Sequence, residues 1–531
     1  MSEIFFIEEI AVGLLLIATI VGVLARRLRM PYTVGLVVVG AALAILFRQF
    51  HMELDSEIIL VVFVPPLIFE AAFHLPIPDL KRNISAILVL AIAGVTLTTL
   101  LVGGIVAWGT GMPIGYAIIF GAIIAATDPI SVIAMLKSLG VPKRLQILLE
   151  SESLLNDGTA IVIFNIAVVA ATTGAFSLRN GISDFIISAG VGLGVGFVLG
   201  VLASLLISRI DDHLIETAIT FVLAYGAFVL AESIHVSGVL AVVAAGLANG
   251  NIGPRGMSPT TRIVVFNFWE FMSFISNSFV FLLIGLVTDI SLIFSHWQAI
   301  LWGILAALVS RLVVVYGLLT PFKNISMHWK HVIYWGGLRG AISLALVLSL
   351  SSKVDSGVSN QLLAMVFGLV IFTLLVQGTS MNTVIKKLQI ITRREDRIEY
   401  DLRRARAVST RASYEHVEKI YKSGMISKHV WEIISGVLSP YSKNLTGEVK
   451  EILVKHPEVQ AEELDTAWRE FLSFQRLQVT ELLTSNAIGE DVYSELTSQI
   501  DHALDLREIH WDDIKYLNEL FLNVSTEPDN V

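Results

Sequence analysis

Cysteine is absent from the chain. That excludes disulfides, thiolate nucleophiles and metal or iron–sulfur sites built on cysteine, and it leaves the redox compartment unread. Charge is scarce too: 16% of residues are Asp, Glu, Lys or Arg, against roughly 25% in an ordinary soluble domain. A basic surplus is missing, with 37 Lys and Arg against 46 Asp and Glu, which argues against nucleic acid as a partner. Histidine is nearly absent from the middle of the apolar stretches, and Ser153 has no histidine near it in sequence. Neither a hydrolase triad nor a metal cluster can be assembled, so the chain is expected not to be an enzyme and to need no cofactor. No basic stretch follows Met1-Ser2-Glu3, so the first apolar run reads as a retained span rather than a cleaved leader.

What the chain has in abundance is apolar length. Hydrophobic residues make up 54% of it and mean hydropathy is +0.73. Crossing about 30 Å of hydrocarbon takes roughly 20 apolar residues in a helix, and such stretches fall near 5–25, 32–47, 57–74, 84–108, 114–137, 145–171, 182–208, 214–233, 236–250, 264–288, 297–320, 331–350 and 361–383. The stretches at 32–47 and 236–250 are short. The expected fold is an all-α polytopic membrane protein with about thirteen transmembrane helices. Thirteen lysines and arginines fall in the loops on one side and three in those on the other. The positive-inside bias then places the N-terminus outside and the C-terminal tail in the cytoplasm, with the cell membrane as location.

Charge also divides the chain. Residues 391–531 carry 17 basic and 26 acidic side chains, leaving 20 of each in residues 1–390. A membrane domain over 1–390 and an acidic cytoplasmic helical tail over 391–531 follow.

Three spans contain residues that disrupt a helix. Pro65-Pro66 precede Glu70 in the third, Thr127-Asp128-Pro129 lie in the fifth, and Gly336-Gly337-Leu338-Arg339-Gly340 lie in the twelfth. Backbone groups freed at membrane depth must face protein or a water-lined cavity. Asp128 and Arg339 are of opposite sign and seven spans apart, which fits two inverted repeats whose discontinuous helices cross near the midplane. An anion there complements helix N-termini and a cation complements C-termini. Two packed kinks without function are the plainer alternative.

Asp157 stands in the run Glu150-Ser151-Glu152-Ser153-Leu154-Leu155-Asn156-Asp157-Gly158. A carboxylate near a helix centre in a bilayer costs roughly 3 kcal/mol even on lenient scales, and its usual task is to handle a cation or a proton. Ser153, Asn156 and Asp157 lie three and four residues apart, so hydroxyl, amide and carboxylate are expected to line one wall.

Ala126-Thr127-Asp128-Pro129, then Glu152-Ser153-Leu154-Leu155-Asn156-Asp157, and later Gly337-Leu338-Arg339-Gly340-Ala341-Ile342 together resemble the monovalent cation/proton antiporter family in its sodium/proton exchanger branch. The likeness runs from about residue 10 to 385. It implies a homodimer of thirteen-helix protomers that exchange Na⁺, Li⁺ or sometimes K⁺ for H⁺, in the service of pH homeostasis. It implies that Asp157, beside Asn156, binds cation and proton alternately, and that Ser153 and the Thr127 carbonyl join Asp157 as Na⁺ ligands. Asp128 lies nearby, and Glu70 is implied as an acid on the cation path. Glu152 is implied as half of a structural ion pair with an arginine of the eleventh span, which favours Arg311; Arg339 would then serve the helix break, although the sequence allows the two to be exchanged.

The expected mechanism is competition. Burial disfavours the ionised carboxylate, so Asp157 can hold a proton when no cation is bound. One carboxylate carrying one H⁺ or one Na⁺, beside the neutral Asn156, gives electroneutral one-for-one exchange by alternating access. The alternatives are K⁺/H⁺ exchange and, further off, a cation channel.

Other patterns are weaker. Gly192, Gly194, Gly196 and Gly200 read as close helix packing rather than a nucleotide loop. His328 and His331 read as a solvated edge ahead of a pH sensor. Glu8, Glu9 and Glu232 read as snorkelling acids. In the tail, Val417, Ile420, Tyr421, Phe471, Phe474, Leu477 and Leu482 recur at helical spacing and predict a small bundle, regulatory or inert. Arg403, Arg404 and Arg406 are candidates for anionic headgroups.

Overall fold

The computed structural model describes residues 3–28, 31–46, 58–128, 130–174, 177–210, 212–287, 290–322, 325–350, 354–388, 390, 395–485 and 487–504. Among these there is no strand. Pro129 and the side chains of Glu8 and Glu9 lie outside what is described. The chain forms two compact units, residues 1–392 and 393–531.

The first unit begins with α1 (Glu3–Leu28) and α2 (Tyr32–Leu46). A π-helical turn, Ile59–Phe63, leads into α3 (Val64–His74), and α4 (Ile77–Leu88) runs through a second, Val89–Gly94, into α5 (Val95–Thr110). The fifth stretch is two short helices, α6 (Ile114–Ala125) and α7 (Ile130–Leu139), followed by the long α8 (Lys143–Thr173). Then come α9 (Leu178–Ile207), α10 (His213–Ser233), α11 (Gly238–Ile252), α12 (Pro259–Val287), the short α13 (Ile290–Ser295) and α14 (Trp297–Leu318). The twelfth stretch is again split, into α15 (Met327–Trp335) and α16 (Ala341–Leu348). Last is α17 (Ser356–Phe372), joined by a third π-helical turn, Thr373–Gly378, to α18 (Thr379–Lys387). Among the described residues, seven helical segments are long and apolar enough to cross a membrane, and five shorter ones are apolar.

Local chemistry explains the ends. Asp212 caps α10 by accepting from the Leu214 amide at 2.8 Å, and Ser237 caps α11 through the Leu240 amide at 3.3 Å. Gly111 and Gly174 end α5 and α8 with positive φ, where a side chain would be strained. Pro65 and Pro66 do not break the third stretch. They sit in the first turn of α3, where a missing amide hydrogen is tolerated, and the irregularity is displaced into the preceding π turn.

The core runs through the unit and includes Phe69, Phe73, Phe120, Trp269 and Phe281, each below 2% exposed. The outside is apolar as well: α9 exposes Ile182, Ile186, Val198 and Leu202, as a lipid-facing helix must. Its inner face is built for contact. A Cβ on Gly192, Gly196 or Gly200 would run into the backbone of Ser237, Ala241 or Ala245 of α11, which is the close helix packing read from these glycines. Glu232 is exposed, and its carboxylate also accepts from the Gly238 amide at 3.1 Å. His331 is likewise no free edge, since it is hydrogen-bonded to Tyr316.

The second unit holds α19 (Glu395–Lys422), α20 (Lys428–Lys455), α21 (Pro457–Thr484) and α22 (Glu490–Leu504). Tyr421 stacks on Trp431 with ring centroids 5.2 Å apart. The core of α21 and α22 is Leu472, Val479 and Ile500, whereas Phe471, Phe474, Leu477 and Leu482 are exposed. The segment is helical as its spacing predicts, but the buried face is a neighbouring one, on which Trp468 joins Leu472 and Val479 in packing with Ile500 of α22. Arg403 pairs with Glu399 at 2.6 Å and Glu448 at 3.8 Å, and Arg404 with Glu463 at 3.5 Å.

Candidate functional site

The two split helices meet in the interior. The fifth stretch loses its helix at Ala126, whose ψ of 134° is extended, and the twelfth at Gly336 through Gly340. The Asp128 amide donates to the Leu338 carbonyl at 2.8 Å, so the unwound backbone of one break supplies a partner to that of the other at membrane depth. Ser343 of α16 donates to the Ile123 carbonyl of α6 at 2.9 Å.

The two opposite charges sit at opposite kinds of helix end. The Arg339 guanidinium, 2% exposed, donates to the Ala125 and Ala126 carbonyls at 3.3 and 3.1 Å, at the C-terminus of α6. A cation there complements the helix dipole and satisfies carbonyls that the helix leaves free. The Asp128 side chain lies against Gly340, the residue that opens α16; a Cβ at Gly340 would overlap it. An acid is thereby held near a helix N-terminus.

The α8 helix passes this crossing and contributes four of the candidate residues. Glu152, 2% exposed, receives the Arg311 guanidinium of α14 in a fork, at 2.8 and 3.1 Å. Arg311 also donates to the Ile333 carbonyl of α15 at 3.2 Å. Glu152 is thus paired with Arg311, in the bidentate geometry that makes a buried pair tolerable. Asn156 Nδ2 donates to Thr127 Oγ1 at 2.6 Å and Glu152 Oε1 at 3.3 Å, while its Oδ1 accepts from the Thr127 amide at 3.3 Å. Ser153 donates to the Thr127 carbonyl.

These bonds revise the expected single wall. Ser153 and Asp157 face a cavity of about 1100 Å³, but Asn156 is not in its lining. Its amide is committed to the break and to Glu152, so Asn156 positions the site instead of facing the cavity. Asp157 is partly exposed within that cavity and is surrounded by the charges of Asp128, Glu152 and Arg339, with the Thr127 amide beside it. Thr127, Asp128 and Glu70 also line the cavity, and exposed Lys137 and Lys386 stand at its rim. Glu70 lies nearer that rim, 3.3 Å from His74 on the same helix. Among the described residues no group of three or more His, Asp or Glu side chains is arranged to hold a metal ion.

A family model described as the transmembrane region of sodium/hydrogen exchangers matches residues 14–387. The chain belongs to the sodium/hydrogen exchanger family. Among its relatives, this exchanger is 41% identical to the Na⁺/H⁺ antiporter ApNhaP of Aphanothece halophytica over 73% of its own length and 75% of that protein. It is 37% identical to the low-affinity Na⁺/H⁺ antiporter NhaS1 of Synechocystis over 81% and 84% of the two chains. The Na⁺/H⁺ antiporter NhaG of Bacillus atrophaeus, 32% identical, is matched over 96% and 98%, tail included. The exchanger shares its fold with the sodium proton antiporter MjNhaP1 of Methanocaldococcus jannaschii, with a TM-score of 0.63 and 22% identity over 73% of this chain and 99% of that one.

Sequence reasoning missed the role of α12, which sends Glu270, Ser273 and Asn277 to the cavity. Their spacing of three and four residues, which puts them on one face of the helix, was the available signal.

Proposed function

We propose that the chain is a secondary active antiporter that exchanges Na⁺ or Li⁺ for H⁺, with Asp157 carrying either ion in turn. The observation that carries this reading is that Asp157 opens to a water-accessible cavity at the crossing of two broken helices, while its charged neighbours Glu152 and Arg339 are committed to Arg311 and to main-chain carbonyls. Ser153 and Thr127 supply hard oxygens beside it, which suit an alkali cation that must shed water. Asp128 and Glu70 add negative potential along the path, and Asn156 holds Thr127 in place.

One proton and one sodium ion exclude each other at one carboxylate, so the exchange is electroneutral and one-for-one. Sodium is preferred to potassium in this reading because the relatives named above are Na⁺/H⁺ antiporters. The protein works as a transporter and not an enzyme, without a resident cofactor, as a homodimer in the cell membrane serving pH homeostasis. Thirteen spans in two inverted repeats place the N-terminus outside and the tail, with a regulatory role, in the cytoplasm. The cavity rim carrying Lys137 is then its cytoplasmic mouth, and alternating access closes it while opening the other side.

The test is proton release from proteoliposomes carrying an internal pH dye after addition of Na⁺, Li⁺ or K⁺. Wild type is expected to respond to Na⁺ and Li⁺ without net current, and Asp157→Asn not at all. Retained exchange in Asp157→Asn, or current that follows membrane potential, overturns the assignment.

A further inference from the structure

One face of α12 lies along the same cavity as α8. Glu270, Ser273 and Asn277 recur at positions i, i+3 and i+7, and all three are in the lining. On α8 the lining residues Glu150, Ser153 and Asp157 have the same spacing. Two rows of oxygen therefore run inward together, each about 10 Å long at 1.5 Å of helix rise per residue. Glu70, itself in the lining, lies within electrostatic reach of both rows, at Ser273 on one and Glu150 on the other. Lys137 and Glu270 also act on Glu70, and Lys137 and His74 on Glu150.

Asn277 ends the α12 row about one turn deeper than Ser273. It is 6% exposed, and its Oδ1 has no hydrogen-bond partner among the described residues. A buried amide oxygen without a donor is costly, and in a cavity wall a passing cation can supply the missing partner. The three carboxylates do not converge on a metal-sized point, so the outer stretch receives a cation with its water still attached. We propose that the α12 row is the second wall of the cation's access path, in which Glu270 and Glu150 attract the hydrated alkali cation and the Asn277 carbonyl oxygen replaces one of its waters on the way to Asp157. This rests on the Asp157 reading of function but assigns residues beyond it.

The two halves of the path differ in what they answer to. Attraction by Glu270 acts at a distance through water and is screened by salt. Replacement of water by Asn277 acts in contact and is not.

The experiment measures initial exchange rates in proteoliposomes against Na⁺ concentration at two ionic strengths set with choline chloride. Glu270→Gln is expected to raise KM for Na⁺ by about ten-fold at low salt, the size of one facing charge at intermediate dielectric, and by much less at high salt. Asn277→Leu, which keeps the volume, is expected to raise KM by a similar factor at both, with Asn277→Ser restoring part of it; Vmax falls less than KM rises in every case. An unchanged KM in Asn277→Leu, or in Asn277→Ser should the leucine variant not fold, overturns the role of Asn277. A salt-independent effect of Glu270→Gln overturns the attraction. Either failure with Asp157→Asn still inactive removes the path alone, whereas exchange by Asp157→Asn removes the functional reading beneath it.

Discussion

Asn156 grips Thr127 from both ends of its amide, donating to Oγ1 at 2.6 Å and accepting from the backbone amide at 3.3 Å. An amide does this because it carries a donor and an acceptor on one planar group. The unwound backbone of the fifth stretch is thus fixed against α8, and with it the carbonyl that receives Ser153.

A carboxylate cannot reproduce that grip. Asn156→Asp removes the donor to Thr127 and sets a second acid against Glu152 Oε1, now 3.3 Å from Asn156 Nδ2. It is expected to destabilise the protein by about 3 kcal/mol. Thermal unfolding in detergent checks this, and an unchanged midpoint would show that the two bonds contribute little.

The Glu152–Arg311 pair is expected to behave as a unit. Glu152→Leu or Arg311→Met alone leaves one buried charge uncompensated, at about 3–5 kcal/mol. The double variant Glu152→Leu with Arg311→Met should recover most of that loss. Strictly additive losses in the double variant would contradict the pairing.

Gly340 admits no side chain while Asp128 holds its place. Gly340→Ala is expected to lower exchange at least ten-fold (about 1.4 kcal/mol in the barrier) by displacing Asp128 and the helix crossing. Adding Asp128→Gly, which removes the Cβ as well as the carboxylate that the new side chain would meet, should relieve the overlap, visible as a thermal midpoint closer to wild type than that of Gly340→Ala alone.

Competition at Asp157 fixes the sign of the pH dependence. Lowering pH loads the carboxylate with protons and raises the apparent KM for Na⁺, by about ten-fold per unit once the protonated form dominates, because one proton excludes one cation. Rates at saturating Na⁺ should change far less. A KM that stays constant while Vmax falls would mean that the proton acts elsewhere.

Bound sodium should also protect the fold. At a hundred times its dissociation constant, Na⁺ is expected to add about 2.7 kcal/mol to stability. That protection should vanish in Asp157→Asn, as read by melting temperature with and without NaCl at constant ionic strength.

Much of this was written locally in the chain. Apolar length marked the membrane helices, since a bilayer forces backbone groups to be satisfied within each segment. Thr127-Asp128-Pro129 and Gly336 through Gly340 marked the breaks, because proline and paired glycines spoil a helix wherever they stand. Acids and arginines flagged the site, since charge at that depth is not kept idle. Which partner each side chain chose was not legible there. That Glu152 takes Arg311, that Arg339 turns to the Ala125 and Ala126 carbonyls, that Asn156 looks away from the cavity while Asn277 looks into it, all depend on distances between helices far apart in sequence. Helical periodicity sets which residues share a face, but only packing sets the rotation of that face. The tail makes the same point from the other side: its helical period was readable, and which face is buried was decided by packing against α22.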